Sequence, residues 1–155
     1  QQRRKRMMVR KRNNLFGRSA CHTCKFWGPE CSFDKDTLTA RAMCHGWNHP
    51  EFSSQNDYCD CWAKRTGEPL GSGVSHIWYM EPPWWGDAAA FIHDMRFDKM
   101  PAGMTALQRD REWRDIMRQL TEKPIVDDGT RAWRRQVTEF GYYVIRAWSL
   151  LGGEK

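Results

Sequence analysis

The chain has 155 residues, which is enough for one ordinary domain or for a small module joined to a helical partner. Hydrophobic residues make up 40% of it, and no run of about 18 apolar residues occurs, so the sequence excludes a membrane-spanning helix. The net charge of +6 is unevenly distributed: residues 1–20 hold eight cations and no acid, whereas residues 21–155 carry 17 basic and 19 acidic side chains.

Residues 1–20 are too basic and too poor in apolar side chains to fold alone, and we predict a disordered basic arm. Such arms commonly neutralise nucleic-acid phosphates, and the release of counterions makes that binding depend on salt. The alternatives are a solvated tail and an Arg-rich organellar presequence. The candidate phosphate-binding residues are the eight cations, namely Arg3, Arg4, Lys5, Arg6, Arg10, Lys11, Arg12 and Arg18.

All six cysteines lie between Cys21 and Cys61, within a segment (21–65) that we predict to be a metal-binding module. Packing alone does not account for them, because a free cysteine is only a small hydrophobe. Disulfides are one alternative, since small secreted domains use an even number of cysteines as a framework. The tight Cys-x2-Cys and Cys-x-Cys pairs suit two ligands that converge on one ion better than bridges between distant loops.

Cys21 and Cys24 can form a knuckle in which both thiolates bind one zinc ion. The second pair of ligands would come from residues farther along the chain, namely Cys44, Cys59, Cys61 or His45. A tetrahedral site with four such ligands stabilises a small fold directly. For the histidines of this segment, His22, His45 and His49, we prefer the interpretation of surface residues or neighbours of a ligand.

The order of the cysteines is similar to that in high-potential iron–sulfur proteins, where a Cys-x2-Cys pair is followed by a third cysteine and a Cys-x-x-Trp ending. Here that ending runs from Cys59 to Trp62. In that family four thiolates hold a 4Fe–4S cubane. The resemblance implies a set of four ligands, namely Cys21, Cys24, Cys44 and Cys59.

The same segment resembles small cysteine-rich proteins of phages and mobile elements. These share a Cys-x2-Cys-Lys-aromatic start, a later cysteine, and Asp-Tyr-Cys near the end, and here the matching residues begin at Cys21 and end at Cys59. We therefore predict one metal centre in this segment. Zn²⁺ is the favoured metal, and a 4Fe–4S cluster is the alternative.

Residues 66–86 have the composition of a Gly- and Pro-rich linker, with one short strand at 74–80 that Pro82 and Pro83 end. The region 87–155 is predicted to be helical. No Gly-rich phosphate loop, Gly-x-Ser-x-Gly or His-Glu-x-x-His motif occurs in the chain. Because a zinc site with a full set of cysteines leaves no open position for water, we predict that the protein is not an enzyme.

Three helices are predicted in this region. The first begins with Asp87 as its cap and ends before Pro101. The second begins with a capping box formed by Thr105 and Gln108, and it stops before Pro124.

The third helix begins near Asp127 or Asp128 and ends at Gly152. Its apolar side chains recur every three or four residues, at Trp133, Val137, Phe140, Val144, Trp148 and Leu151. This stripe either belongs to the core or packs on a partner, since a helix of about 24 residues spans roughly 36 Å and could reach beyond a small domain.

The sequence as a whole predicts an α+β fold that is mostly α: a small, irregular, metal-stabilised module, a three-helix C-terminal half, and few short strands. It favours a structural or binding component of a nucleic-acid-containing assembly, such as a virion or a ribonucleoprotein particle, inside a cell or a virion. The arm would contact phosphates, and the last helix would pack on a protein subunit, with no membrane contact. The alternative is a 4Fe–4S redox protein or enzyme-accessory subunit of the high-potential iron–sulfur type.

Overall fold

The fold is α+β and mostly α, as the sequence predicted. It is seen in a computed structural model that describes residues 20–46, 50–58, 62–66, 84–124 and 126–152, together with the backbone of 10–11. Over those residues the strands and helices are β1 (Arg10–Lys11), β2 (Trp27–Asp34), β3 (Thr39–Cys44), β4 (Glu51–Ser54), β5 (Asp57–Tyr58), α1 (Asp87–Asp98), α2 (Ala106–Thr121) and α3 (Asp128–Leu150). No described helix has both the length and the apolar character that a membrane crossing requires.

Strands β2, β3 and β4 form an antiparallel sheet in that order. Strand β3 alternates strictly, so that Ala40, Ala42 and Cys44 are buried on one face, as the two-residue period of a strand requires. Cys31 of β2 lies opposite Ala42, and a bulge separates that pair from the pair of Trp27 with Cys44. The inner face of the sheet is therefore built from small side chains and one large indole.

Helix α1 is buried almost all round, because it lies between the sheet and the other helices. Eight consecutive residues, from Ala88 to Met95, are buried. A single hydrophobic cluster continues from Cys21 through α1 to Trp113 of α2 and Ile145 of α3. The cysteine segment and the helical region thus share one core.

Helix α2 has the termini that its sequence predicts. The side chain of Thr105 accepts a hydrogen bond from the backbone N–H of Gln108, and the Gln108 side chain accepts one from the N–H of Thr105, which completes the capping box. The helix ends at Thr121, before Pro124. Its buried apolar residues include Trp113, Ile116, Met117 and Leu120.

Helix α3 begins where the sequence placed it, with Asp127 as the cap, but a different face from the predicted stripe is buried. The Asp127 carboxylate accepts a 2.9 Å hydrogen bond from the backbone N–H of Thr130. The buried residues of α3 are Thr138, Gly141, Tyr142 and Ile145. In contrast, Trp133 is 62% exposed and Phe140 is 57% exposed. The stripe is therefore not the core face of the helix.

Two local predictions differ from the structure. Asp87 is the first residue of α1 rather than its cap. The cap position is taken by Gly86, which has no side chain that could accept a hydrogen bond. Within the predicted disordered arm, β1 pairs antiparallel with β5. The strand predicted at 74–80 lies outside the described residues.

Candidate metal centre

The first cysteine pair lies on a tight turn at the edge of the core. Residues Cys21–Thr23 form a single 3-10 turn, in which the N–H of Cys24 donates a 2.9 Å hydrogen bond to the carbonyl of Cys21. The hydroxyl of Thr23 donates a 2.8 Å bond to the carbonyl of Ala20, which fixes the start of the turn. Both cysteines are buried. The Cys-x2-Cys segment thus forms one compact 3-10 turn, and the binding of a metal by its two thiols stays a prediction.

Cys44 reaches the same end of the sheet from the neighbouring strand. The N–H of Trp27 donates a 3.3 Å hydrogen bond to the carbonyl of Cys24, so β2 starts directly after the turn. Trp27 is paired with Cys44 across the ladder, and Cys44 is buried on the inner face of β3. Three of the four predicted ligands therefore lie around one strand start.

The chain returns to this turn after the last two cysteines. Lys64 forms an isolated antiparallel bridge with Cys24. The N–H of Lys25 donates a 2.9 Å bond to the carbonyl of Ala63, and the indole N–H of Trp62 donates a 3.0 Å bond to the Thr23 hydroxyl. The segment that follows Cys61 is thus held beside the knuckle.

The predicted ligand set is only partly within the described residues. Cys59, the fourth predicted ligand, and Cys61 lie outside them. Among the residues with described positions, no three His, Cys, Asp or Glu side chains form a group that could hold a metal ion. Cys21, Cys24 and Cys44 are buried thiols of the kind that zinc prefers, but the structure does not bring these three side chains into one ligand group.

His22, between the first two cysteines, is held by a hydrogen bond to the backbone and by an aromatic stack. Its Nδ1–H donates a 2.9 Å hydrogen bond to the carbonyl of Gln55, and its ring stacks on Phe91 with centroids 5.0 Å apart. Burial lowers the pKa of His22, and the bond to Gln55 offsets this only in part. The ring is therefore neutral at pH 7, with Nδ1 protonated and Nε2 as the acceptor nitrogen.

His45 is turned away from the cysteine turn. His45, the substitute ligand that the spacing allowed, uses its Nε2–H to donate a 2.8 Å bond to the carboxylate of Glu30 on the surface. His49 lies outside the described residues. The interpretation of His45 as a surface residue agrees with this pairing.

Arg65 is a residue of the site that sequence reasoning missed. Its guanidinium donates a 3.1 Å bond to the carbonyl of Cys24 and a 2.6 Å bond to the carbonyl of Trp27. Burial lowers the pKa of Arg65, whereas the nearby Asp98 and Cys24 raise it. The only sequence signal was the Lys64-Arg65 pair directly after the last cysteines. The half-buried Arg65 thus ties the segment after Cys61 to the turn that carries Cys24.

Cys31 has a different environment from the other described cysteines. It lies opposite Ala42 on the inner face of the sheet, where α1 covers it. Burial raises the pKa of its thiol to about 11, although Arg96 offsets part of the effect. A thiol with this pKa stays protonated and packs as a small hydrophobe. This environment favours the interpretation of Cys31 as a spectator rather than a ligand.

The eight candidate phosphate-binding cations are mostly outside the described part of the chain. Only Arg10 and Lys11 are described, and only by backbone: they form β1, opposite Tyr58 and Asp57. The remaining six, namely Arg3, Arg4, Lys5, Arg6, Arg12 and Arg18, lie outside the described residues.

A buried Ser–Asp–His cluster in the helical region resembles a catalytic triad only in composition. Ser149 and His93 both bind the carboxylate of Asp110, on different oxygens, instead of binding each other. A nucleophile and its base must share a hydrogen bond, and Asp110 is 0% exposed. The cluster is therefore an internal connection between helices.

Comparison of the chain with known proteins found no matching family model, no matching curated protein and no matching solved structure. The function is therefore inferred from the residues themselves.

Proposed function

We propose that this protein is a non-enzymatic, metal-stabilised structural or binding component of a nucleic-acid-containing assembly, such as a virion or a ribonucleoprotein particle. Zinc is held by Cys21, Cys24, Cys44 and Cys59. The basic arm contacts phosphates, and α3 packs on a protein subunit. What supports the proposal is that the backbone positions of Cys21, Cys24 and Cys44 lie beside the start of β2, with all three side chains buried.

The buried position of the knuckle favours a structural role over a catalytic one. Cys21, Cys24 and Cys44 are all buried. The segment after Cys61 covers the turn, where the Trp62 indole N–H donates to the Thr23 hydroxyl and the Ala63 carbonyl accepts from the N–H of Lys25. Structural zinc sites have four protein ligands, whereas catalytic ones keep one position open to water. A site closed in this way suits the stabilisation of a fold.

In this proposal the metal stabilises the fold of the cysteine segment. The inner face of the sheet in the cysteine segment is lined mainly by small residues such as Ala40 and Ala42. A four-ligand zinc site supplies folding free energy directly, since the ligands are not gathered in the unfolded chain. The ion would tie the knuckle, β3 and the segment before Trp62 together.

The metal content of the purified full chain tests this part of the proposal. One zinc per chain and a colourless sample are expected, and Cys21→Ser or Cys24→Ser should remove the zinc and lower the melting temperature. The matched control is Cys31→Ser, which changes another buried cysteine and should leave the stoichiometry at one. Iron with an equal amount of sulfide and a broad absorption near 400 nm would favour the 4Fe–4S alternative over zinc. A chain without either metal would overturn the proposal.

The salt dependence of nucleic-acid binding tests the arm. The double variant Arg3→Ser/Arg4→Ser should reduce the slope of log K against log salt by up to about 1.8 for duplex DNA, since each lost phosphate contact contributes about 0.9. The control Lys35→Ser/Lys99→Ser removes two exposed cations from the body and should leave the slope unchanged. Equal slopes for the wild type and the arm variant would show that the arm does not contact the nucleic acid.

A further inference from the structure

Helix α3 exposes a broad face that carries no charge. At about 100° per residue, the exposed apolar residues from Trp133 to Leu151 fall within roughly 160° of arc, together with Ala132, Gln136 and Ala147. We call this surface the uncharged face. All six charged residues of the helix lie outside it, namely Asp128, Arg131, Arg134, Arg135, Glu139 and Arg146.

This face is distinct from the one that packs on the rest of the protein. The residues buried against α2 are centred on Tyr142 and Ile145, on the other side of the helix. There, the Arg114 guanidinium lies 4.1 Å from the centre of the Tyr142 ring, and the Arg118 guanidinium donates a 2.7 Å bond to the Glu139 carboxylate. The charges of α3 thus serve the intramolecular contact, and the uncharged face is turned outward.

The size of the uncharged face is at the lower end of what a stable protein interface requires. The largest exposures are those of Trp133 (62%), Phe140 (57%), Tyr143 (66%), Leu150 (76%) and Leu151 (84%). With side chains of about 150–250 Å² each, these residues leave on the order of 600 Å² of apolar surface in water. A standard interface buries about 800 Å² per partner, and monomeric proteins rarely leave a larger patch than this one exposed.

We propose that the uncharged face pairs with the same face of a second copy of this chain, as two antiparallel helices. Residues 133, 137, 140, 144, 147 and 151 follow the alternating spacing of four and three that forms the seam of a helix pair. Absence of charge along the seam is typical of the centre of an interface. The inference rests on the part of the proposed function that assigns α3 to a protein partner.

The order of large and small side chains favours the antiparallel arrangement. A two-fold axis near residue 142 sets Trp133 against Leu151, Phe140 against Val144, and Val137 against Ala147, so that each layer joins a larger side chain to a smaller one. A parallel pair would place Trp133 on Trp133 and Ala147 on Ala147, with one layer overfilled and another empty. Antiparallel helices also have opposed dipoles, which attract.

The mass of the full chain in solution tests the pairing. Sedimentation equilibrium between 1 and 100 µM should give twice the chain mass of 18.4 kDa. The double variant Trp133→Glu/Phe140→Glu should weaken dimerisation by at least about 100-fold, because each dimer would bury four carboxylates. Its far-UV spectrum should be unchanged, since both residues are exposed. The control is Phe52→Glu, which places the same charge at an exposed aromatic residue of β4 and should leave the dimer intact.

A photocrosslinking residue at position 140 tests the orientation. Benzoylphenylalanine there should link to the partner near Val144 in an antiparallel pair, whereas a link to position 140 of the partner would overturn that arrangement. A wild-type chain that is monomeric at 100 µM would overturn the inference. A monomer that sediments with phosphatidylcholine vesicles would overturn it too, because the uncharged face would then bind lipid rather than a second copy. A dimer that survives Trp133→Glu/Phe140→Glu would do the same. Metal content and nucleic-acid binding are measured separately, so failure of those parts leaves this test unaffected.

Discussion

Asp110 of α2 and Arg146 of α3 are joined by a 2.7 Å hydrogen bond in which the guanidinium donates to the carboxylate. Ser149 donates to the same carboxylate oxygen, while His93 of α1 and the guanidinium of Arg109 donate to the other one. Asp110 is 0% exposed. One carboxylate therefore connects all three helices in the interior of the protein.

Asp110→Asn should lower the free energy of unfolding by about 3–5 kcal/mol, because it removes the charge that compensates the buried guanidinium of Arg109 and the partly buried one of Arg146. Urea unfolding followed by far-UV circular dichroism measures this loss. The matched control is Asp115→Asn on the exposed face of α2, which should change stability by no more than about 0.5 kcal/mol. Equal effects of the two substitutions would show that the buried carboxylate does not hold the helices together.

The same carboxylate predicts an acid transition. Burial opposes its ionisation, but the hydrogen bonds from His93, Arg146 and Ser149 outweigh burial and lower the pKa of Asp110 to about 2. The folded-state pKa is thus below the ordinary value of 3.8, so this stabilisation is complete above about pH 4 and is lost as the pH falls through 2. Wild-type unfolding free energy should drop over this window, and the drop should be smaller in Asp110→Asn. Parallel curves for the two proteins would contradict the assignment.

Gly28→Ala should be more destabilising than a change of backbone preference alone. Gly28 has φ of +90°, and a Cβ there would lie 2.5 Å from the Sδ of the buried Met95. The matched control is Gly103→Ala, with φ of +81° and open space around it, which should cost about 1–2 kcal/mol for the left-handed backbone. Gly28→Ala should cost about 1–3 kcal/mol more than that, from overpacking, in the same urea experiment. Equal losses would mean that Met95 moves aside freely.

The capping box at the start of α2 should be worth about 1 kcal/mol. Thr105→Ala removes the side-chain oxygen that accepts the N–H of Gln108, whereas Thr105→Ser retains it. Thermal unfolding of the two variants should therefore separate, with only the alanine variant clearly below the wild type. If serine destabilised as much as alanine, the methyl group of Thr105 rather than its hydroxyl would be the cause.

Helix ends were predictable from the sequence because their determinants are local. Thr105 with Gln108, and Asp127 with Thr130, satisfy backbone groups within three residues of themselves. The burial of α3 was not predictable in this way, since its outward stripe is more apolar than the face around Tyr142 that α2 covers. Which of two apolar faces is buried depends on tertiary packing, and a single helix sequence does not contain that information.

In the candidate site and the helical core, too, local features were predictable from the sequence and long-range contacts were not. The spacing of Cys21 and Cys24 predicts a tight turn, and the structure has one. The burial of Asp110 could not be foreseen, because an aspartate is rarely buried and its partner Arg146 is 36 residues away. Arg65 was missed for a similar reason, since its bond to the Cys24 carbonyl joins residues 41 positions apart.

The thiol of Cys31 should be unreactive in the native protein. Its pKa of about 11 leaves roughly one thiol in a thousand ionised at pH 8, compared with about a quarter for a cysteine of ordinary pKa. Because the thiolate is the reacting species and Cys31 is buried, iodoacetamide should alkylate it only when the protein unfolds. Peptide mapping by mass spectrometry, with and without urea, measures this for each cysteine.

A zinc chelator provides the internal comparison for that experiment. If Cys21 and Cys24 bind zinc as proposed, removal of the metal should expose both to alkylation, because the ion no longer shields their sulfur atoms. Alkylation of Cys31 should proceed only at the rate of global unfolding, since the sheet and α1 cover this thiol. Alkylation of Cys31 in step with Cys21 and Cys24 would place all three thiols in one opening unit, and Cys31 would then no longer be a spectator.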